Sequence, residues 1–292
     1  MTLAQQLISA RLADRDVAAA TRVAAAGWTA HNVDLGAGIH TLPGQPLLAD
    51  DVRARTIKRE VQRFLARDGS LAGLRLLDLG CLEGGFSLEM ARADMQVLGV
   101  EGRDSNFRKC QMLADYFALP NLQFELTDVK ALTPAQHGVF DAVLCLGLLY
   151  HLDQPMAFLE QLARTLTAPR ALMFLDTHVA PPDDAALAAF EGRHALSPLV
   201  ALEHAGHAYQ GRWYHEYHEY PGGTAVPDEA WTAVSNARSF WPTEKALIEA
   251  LCRAGFSRVF AMYGNFEIGE EFALRARHSR VWYVVLKEPP TA

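Results

Sequence analysis

The hydrophobic pattern changes period in mid-course along Leu76-Leu-Asp-Leu-Gly-Cys-Leu-Glu-Gly-Gly-Phe-Ser-Leu-Glu-Met-Ala91. Leu74 to Leu79 reads as a buried strand, whereas after Gly85 the residues Phe86, Met90 and Ala91 recur at helical spacing. A strand therefore feeds a helix through a glycine turn. Upstream, Leu3, Leu7, Ile8, Leu12 and Val17 carry helical spacing, and residues 1 to about 30 read as two short helices. Asp50 or Asp51 caps a further helix through Val52, Ile57, Val61 and Phe64. Downstream, strands are predicted at Gln96–Glu101, Leu122–Leu126, Phe140–Leu146 and Ala171–Thr177. The helices between them run from Ser105, as cap, through Phe117, and from about Met156 to Thr165. This alternation is the pattern of an α/β fold with a parallel sheet covered on both faces. It stops at Ala180-Pro-Pro-Asp-Asp and recovers at Thr243, which opens a helix through Leu251. Two last strands follow, Arg258–Tyr263 and Val281–Leu286.

Composition changes this picture little. The chain has 292 residues, half of them hydrophobic, enough for one large core or a core with an appended region. No stretch approaches the roughly 20 apolar residues of a membrane span, and the N-terminus lacks the layout of a secretory signal, so a cytoplasmic protein is expected. A formal charge of -7 argues against nucleic acid as a partner. Cys81, Cys110, Cys145 and Cys252 lack metal-ligand spacing and read as reduced core thiols.

The glycine turn narrows the chemistry. A dinucleotide fingerprint, G-x-G-x-x-G, needs a middle glycine so that backbone can touch a pyrophosphate. Gly80 and Gly85 fit the outer positions, but Leu82 fills the middle one. Glu101 ends the second strand 23 positions after Asp78, the offset at which a carboxylate holds two ribose hydroxyls in Rossmann-like folds. Asp128 follows the third strand, where it either contacts a ligand or caps the next turn.

Residues 76–91 resemble motif I of the class I S-adenosylmethionine-dependent methyltransferases in the variant D-x-G-C-x-x-G. The block Phe140-Asp-Ala-Val-Leu-Cys-Leu-Gly-Leu-Leu-Tyr-His-Leu-Asp-Gln-Pro155 resembles the post-strand motif of the same family. It is similar above all to the branch containing the tRNA wobble-uridine carboxymethyltransferase. The resemblance covers residues 70 to 180 closely and 240 to 288 loosely. It implies a Rossmann-like, mostly parallel seven-stranded sheet with an antiparallel last strand, N-terminal helices and an inserted lid. S-adenosyl-L-methionine is the implied cofactor, held by Asp78, Gly80, Cys81, Glu83, Gly84, Glu101, Gly102, Arg103, Asp128, Val129, Leu146 and Tyr150. Four segments follow: 1–65 with a cofactor-covering loop (Trp28–Gly44), 66–180 as cofactor core, 181–242 as lid, and 243–292 completing the core.

A sulfonium is already an activated methyl donor, so the protein has to align an acceptor and take up its proton. His151, His178 and His215 are the candidate bases, with His151 favoured, since an imidazole titrates near neutrality. His215 and His218 stand three apart beside two carboxylates, which is not the four-residue spacing of H-E-x-x-H, and no metal is expected. Methyl transfer to a small-molecule acceptor leads. tRNA uridine modification and a non-catalytic cofactor-binding module are the alternatives. Exposed aromatics in the N-terminal helices or the lid offer a surface for a homodimer.

Overall fold

A computed structural model describes residues 17–66, 68–190, 195–216, 233–234, 236–262 and 279–289. The first expected helix, the His218 side of the metal pair and the end of the strand at Tyr263 lie outside them. The chain divides into two compact units, one up to Leu132 together with Val139–Leu144, the other Thr133–Gly138 together with Cys145 onward.

The first unit holds helices α1 (Val17–Ala24) and α2 (Val52–Leu65), then β1 (Arg75–Leu79), α3 (Gly85–Ala91), β2 (Gln96–Glu101), α4 (Asp104–Phe117) and β3 (Leu122–Leu126). α2 starts where expected, because the Asp51 carboxylate accepts from the Arg53 amide. α4 does not start on Ser105. It begins at Asp104, with Arg103 in the capping position and no side-chain cap. Parallel registers join β1 to β2, β2 to β3, and β1 to the strand at 140–146. Leu76, Leu77, Leu79 and Val100 are wholly buried, as a strand covered on both faces requires.

The second unit carries α5 (Pro134–His137), the end of β4 (Phe140–Leu146), α6 (Pro155–Gln161), β5 (Thr167–His178), α7 (Asp184–Ala189), β6 (Val200–His204), β7 (His207–His215), β8 (Arg238–Pro242), α8 (Glu244–Ala254), β9 (Arg258–Ala261) and β10 (Arg280–Lys287). A single π turn, Leu162–Leu166, leads from α6 into β5, which begins earlier than its apolar run suggests. Thr243 caps α8 as expected, accepting from the Ala246 amide. The seven-stranded sheet has the order β3-β2-β1-β4-β5-β10-β9, and β10 runs antiparallel to both its neighbours.

The inserted stretch is not irregular. β6, β7 and β8 form a three-stranded antiparallel sheet, and Arg212 explains its hold on the rest of the unit. Its guanidinium is 1% exposed and donates to the carbonyls of Pro181, Ser197 and Asp183. Three carbonyls satisfy a charge that would otherwise be costly to bury. Cys252 is exposed on α8, unlike the three buried cysteines. No helix among the described residues is long and apolar enough to cross a membrane.

Candidate functional site

In the first unit, the turn after β1 is shaped by three left-handed residues, Gly80, Leu82 and Gly84, with φ of 63°, 54° and 76°. A leucine in that region is uncommon and must be held by its surroundings. Glu101 provides the hold: its carboxylate accepts from the Leu82 amide at 2.9 Å and from the Arg103 amide at 2.8 Å. The Cys81 amide adds a bond to the Val100 carbonyl at 2.9 Å. The Asn106 side chain also hydrogen-bonds this carboxylate, so three protein donors share its roughly four lone-pair sites. Burial pushes the Glu101 carboxyl up, with the backbone donors opposing.

Gly84 is required twice over, since a Cβ there would sit 2.7 Å from the Phe124 ring in addition to the positive φ. Asp78 is buried beneath the turn, accepts from Ser87 Oγ at 2.6 Å, and is pushed up to about 7 by burial, helped by Glu101. Cys81 faces Cys110 with sulfurs 3.8 Å apart, and burial pushes its thiol up.

Glu83 has a different occupation from the one expected of it. Its wholly buried carboxylate accepts from the amides of Thr29 (2.7 Å), Ala30 (3.0 Å) and His31 (3.0 Å), and from Lys109 Nζ at 2.7 Å. Burial alone would raise it, but Lys109 and the backbone donors hold it below the usual carboxylate range. His31 Nδ1 accepts from the Gly85 amide at 3.1 Å, and a Cβ on Gly85 would lie 2.7 Å from that imidazole. The Trp28–Gly44 loop is thus bonded to the first turn of α3. Asp128 caps the short turn Val129–Ala131 by accepting from the Lys130 amide at 2.9 Å. Gly102 and Arg103 form the link into α4, and Val129 is buried.

In the second unit, Leu146 ends β4, and Tyr150 and His151 lie in the turn Leu149–His151. His151 Nδ1 is 3.0 Å from both oxygens of Glu216, which the sequence reading met only as one of the two carboxylates beside His215 and His218. Tyr150 lies between two imidazoles, with ring centroids 4.3 Å from His151 and 4.6 Å from His178. Burial pushes its phenol up. His178 stacks on Trp241 at 4.7 Å, and Tyr214 stacks on the same indole at 4.6 Å. Trp241 Nε1 donates to the Tyr150 carbonyl at 2.8 Å. His215 is exposed at the end of β7. Among the described residues no group of three or more His, Cys, Asp or Glu could hold a metal.

The residues fit an adenosine-bearing cofactor that brings no phosphate to the turn. Glu101 presents a carboxylate at the end of β2, and Leu82 occupies the position at which a pyrophosphate needs glycine.

Comparison with known proteins agrees. Ubiquinone biosynthesis O-methyltransferase of Albidiferax ferrireducens is 33% identical over 134 residues, 46% of this chain and 53% of that protein. Its namesake in Acinetobacter baylyi is 26% identical over 141 residues, 48% of this chain and 59% of that protein. The chain thus spans little more than half the length of these relatives. The crystal structure of the N-terminal domain of EvdMO1, in the presence of SAH and D-fucose, matches with a TM-score of 0.64 at 25% identity, covering 92% of this chain and 95% of that one. The 1,6-didemethyltoxoflavin-N1-methyltransferase of Burkholderia thailandensis shares the fold, with a TM-score of 0.50 at 15% identity, covering 82% and 80%.

These matches overturn the similarity to the tRNA wobble-uridine carboxymethyltransferase branch, because the matched proteins are named for small molecules. Phe140–Pro155, on which that similarity rested, is a buried strand, a tight turn and a proline-started helix. The fold asks for these whatever the acceptor. A family model described as a methyltransferase domain matches residues 50–259, and the chain belongs to that family.

Proposed function

We propose that this protein transfers the methyl group of S-adenosylmethionine to a hydroxyl of a small molecule. The observation that carries the reading is the Glu101 carboxylate, fixed at the end of β2 by the Leu82 and Arg103 amides, where it can accept from a ribose hydroxyl. Asp78, Gly80, Cys81 and Gly84 shape the turn beside it. Gly102, Arg103, Asp128 and Val129 belong to the same unit, and Leu146 and Tyr150 to the other. Glu83 serves the cofactor through the loop it anchors. The relatives support an O-H acceptor: two are O-methyltransferases by name, and one neighbour was solved with a sugar.

The cofactor supplies an electrophilic methyl carbon. The protein binds it, excludes water and accepts the acceptor's proton. His151 is assigned this last role. His178 shapes the aromatic cluster, and His215 stands outside it. The stretch 181–242 contributes Glu216 and Trp241 to this acceptor side.

Calorimetry with S-adenosylmethionine tests the reading. Glu101→Ala is expected to weaken binding about 10- to 100-fold, as loss of hydrogen bonds to a charged group implies. A panel of alcohols and phenols should yield a product heavier by one methyl. A wild-type protein that binds a nicotinamide dinucleotide and not S-adenosylmethionine would overturn it.

A further inference from the structure

The Glu216 carboxylate is surrounded by donors. Oε1 and Oε2 are each 3.0 Å from His151 Nδ1, Oε2 also accepts from the Ala233 amide at 3.0 Å, and Oε1 accepts from Ser239 Oγ. The serine hydroxyl is the donor in that bond, and Asn236 Nδ2 lies 3.3 Å from Ser239 Oγ while donating to the Arg238 carbonyl at 2.9 Å. Asn236 also donates to the His151 carbonyl at 2.9 Å, and the Phe240 amide to the Leu152 carbonyl at 2.9 Å, so β8 and the segment just before it hold the backbone around the ring. The Glu216 side chain is 1% exposed and that of His151 16%. With the Ala233 amide donating to one oxygen and the Ser239 hydroxyl to the other, the neighbours solvate the carboxylate form, and a carboxylate beside Nδ1 pairs with the tautomer that carries hydrogen there.

We infer that Glu216, seated by Ser239 and the Ala233 amide, is a positioning residue that fixes His151 with its hydrogen on Nδ1 and leaves Nε2 to take the proton of an acceptor hydroxyl. The assignment rests on the methyl-transfer reading for its chemistry, but the state of the ring does not. In the reaction, the acceptor oxygen forms its bond to the methyl carbon as the carbon–sulfur bond breaks, with that electron pair remaining on sulfur. The hydroxyl proton passes to His151 Nε2. The positive charge thus moves from sulfonium to imidazolium, where Glu216 lies 3.0 Å away to compensate it. An acceptor with no proton to lose would gain nothing from this couple, so the class it selects is acceptors that carry a hydrogen on the attacked atom, the hydroxyl of the proposed function among them.

Nitrogen-15 NMR of the imidazole rings in the full chain, without acceptor, reads the couple directly, with His151 assigned by the resonance lost in His151→Gln. The wild type should show hydrogen on Nδ1 and a lone pair on Nε2 at neutral pH. Glu216→Gln, which places a carboxamide N–H among the donors, should lose the pure Nδ1–H state. A wild-type ring with hydrogen on Nε2, or an unchanged ring in Glu216→Gln, overturns the inference. The wild-type spectrum decides alone if the variant does not fold. Calorimetry with S-adenosylmethionine on the same samples separates the two readings. Failure of the wild type to bind it defeats methyl transfer and leaves the tautomer standing, whereas binding with the wrong tautomer defeats only the role of Glu216.

Discussion

Three imidazoles in the second unit differ in what holds them. His151 is held by a carboxylate, His178 lies flat against the Trp241 indole with planes 8° apart, and His215 is exposed on β7. A stacked ring contributes shape and dispersion, while a ring bonded through one nitrogen presents the other for proton transfer. His151→Ala is therefore expected to lower kcat about 10²- to 10⁴-fold, the range of a general base, with S-adenosylmethionine affinity unchanged in calorimetry. His215→Ala should leave both unchanged. Near-full turnover in His151→Ala would remove it as the base. Pairing with Glu216 could not be foreseen from the chain, because the partners lie 65 positions apart and no local spacing joins them. Glu101 was legible, since its place at the end of β2 follows from strand length and offset alone.

Elements built on a single period were the ones the sequence disclosed. The strands β1 to β5, the glycine turn and the caps at Asp51 and Thr243 all follow from local spacing and side-chain chemistry. β7 did not, because its pattern mixes aromatics with an arginine whose burial depends on three distant carbonyls. The α4 start was missed for a similar reason. The Glu101 bond to the Arg103 amide bends the chain so tightly that helix begins one residue before the serine. The Trp28–Gly44 loop has no period at all, and its anchoring comes from Glu83, far along the chain. Glu83→Ala removes the acceptor of three amides and of Lys109 together. Native-state hydrogen exchange should then speed up at Thr29, Ala30 and His31 by about 10- to 100-fold or more, against little change in β1 and β2. Unchanged protection at these amides would mean that other contacts hold the loop.

The stability of the molecule as a whole should record two buried groups of the first unit that pull against each other as pH changes. Burial lowers His31 to about 4 from its ordinary 6.5, so between those values the unfolded chain binds the extra proton and stability falls as pH falls. Asp78 is raised from 3.8 to about 7, so over that window the folded chain holds the extra proton and stability falls as pH rises. The slopes oppose, and the wild type should be flatter between pH 4 and 6.5 than either group alone would make it. Asp78→Asn keeps an oxygen for the Ser87 hydroxyl and removes the titration. Urea unfolding at a series of pH values should find the variant and wild type differing least near pH 4. The variant should gain steadily to about pH 7 and stay ahead beyond it, with a ceiling on the order of 4 kcal/mol at about 1.4 kcal/mol per unit. With Asp78 silent, the variant's own stability should rise with pH from about 4 to 6.5, as His31 dictates. A difference between the two proteins that does not change with pH, or that shrinks as pH rises, would show that Asp78 is ionised at its ordinary value and that the turn above it tolerates the charge.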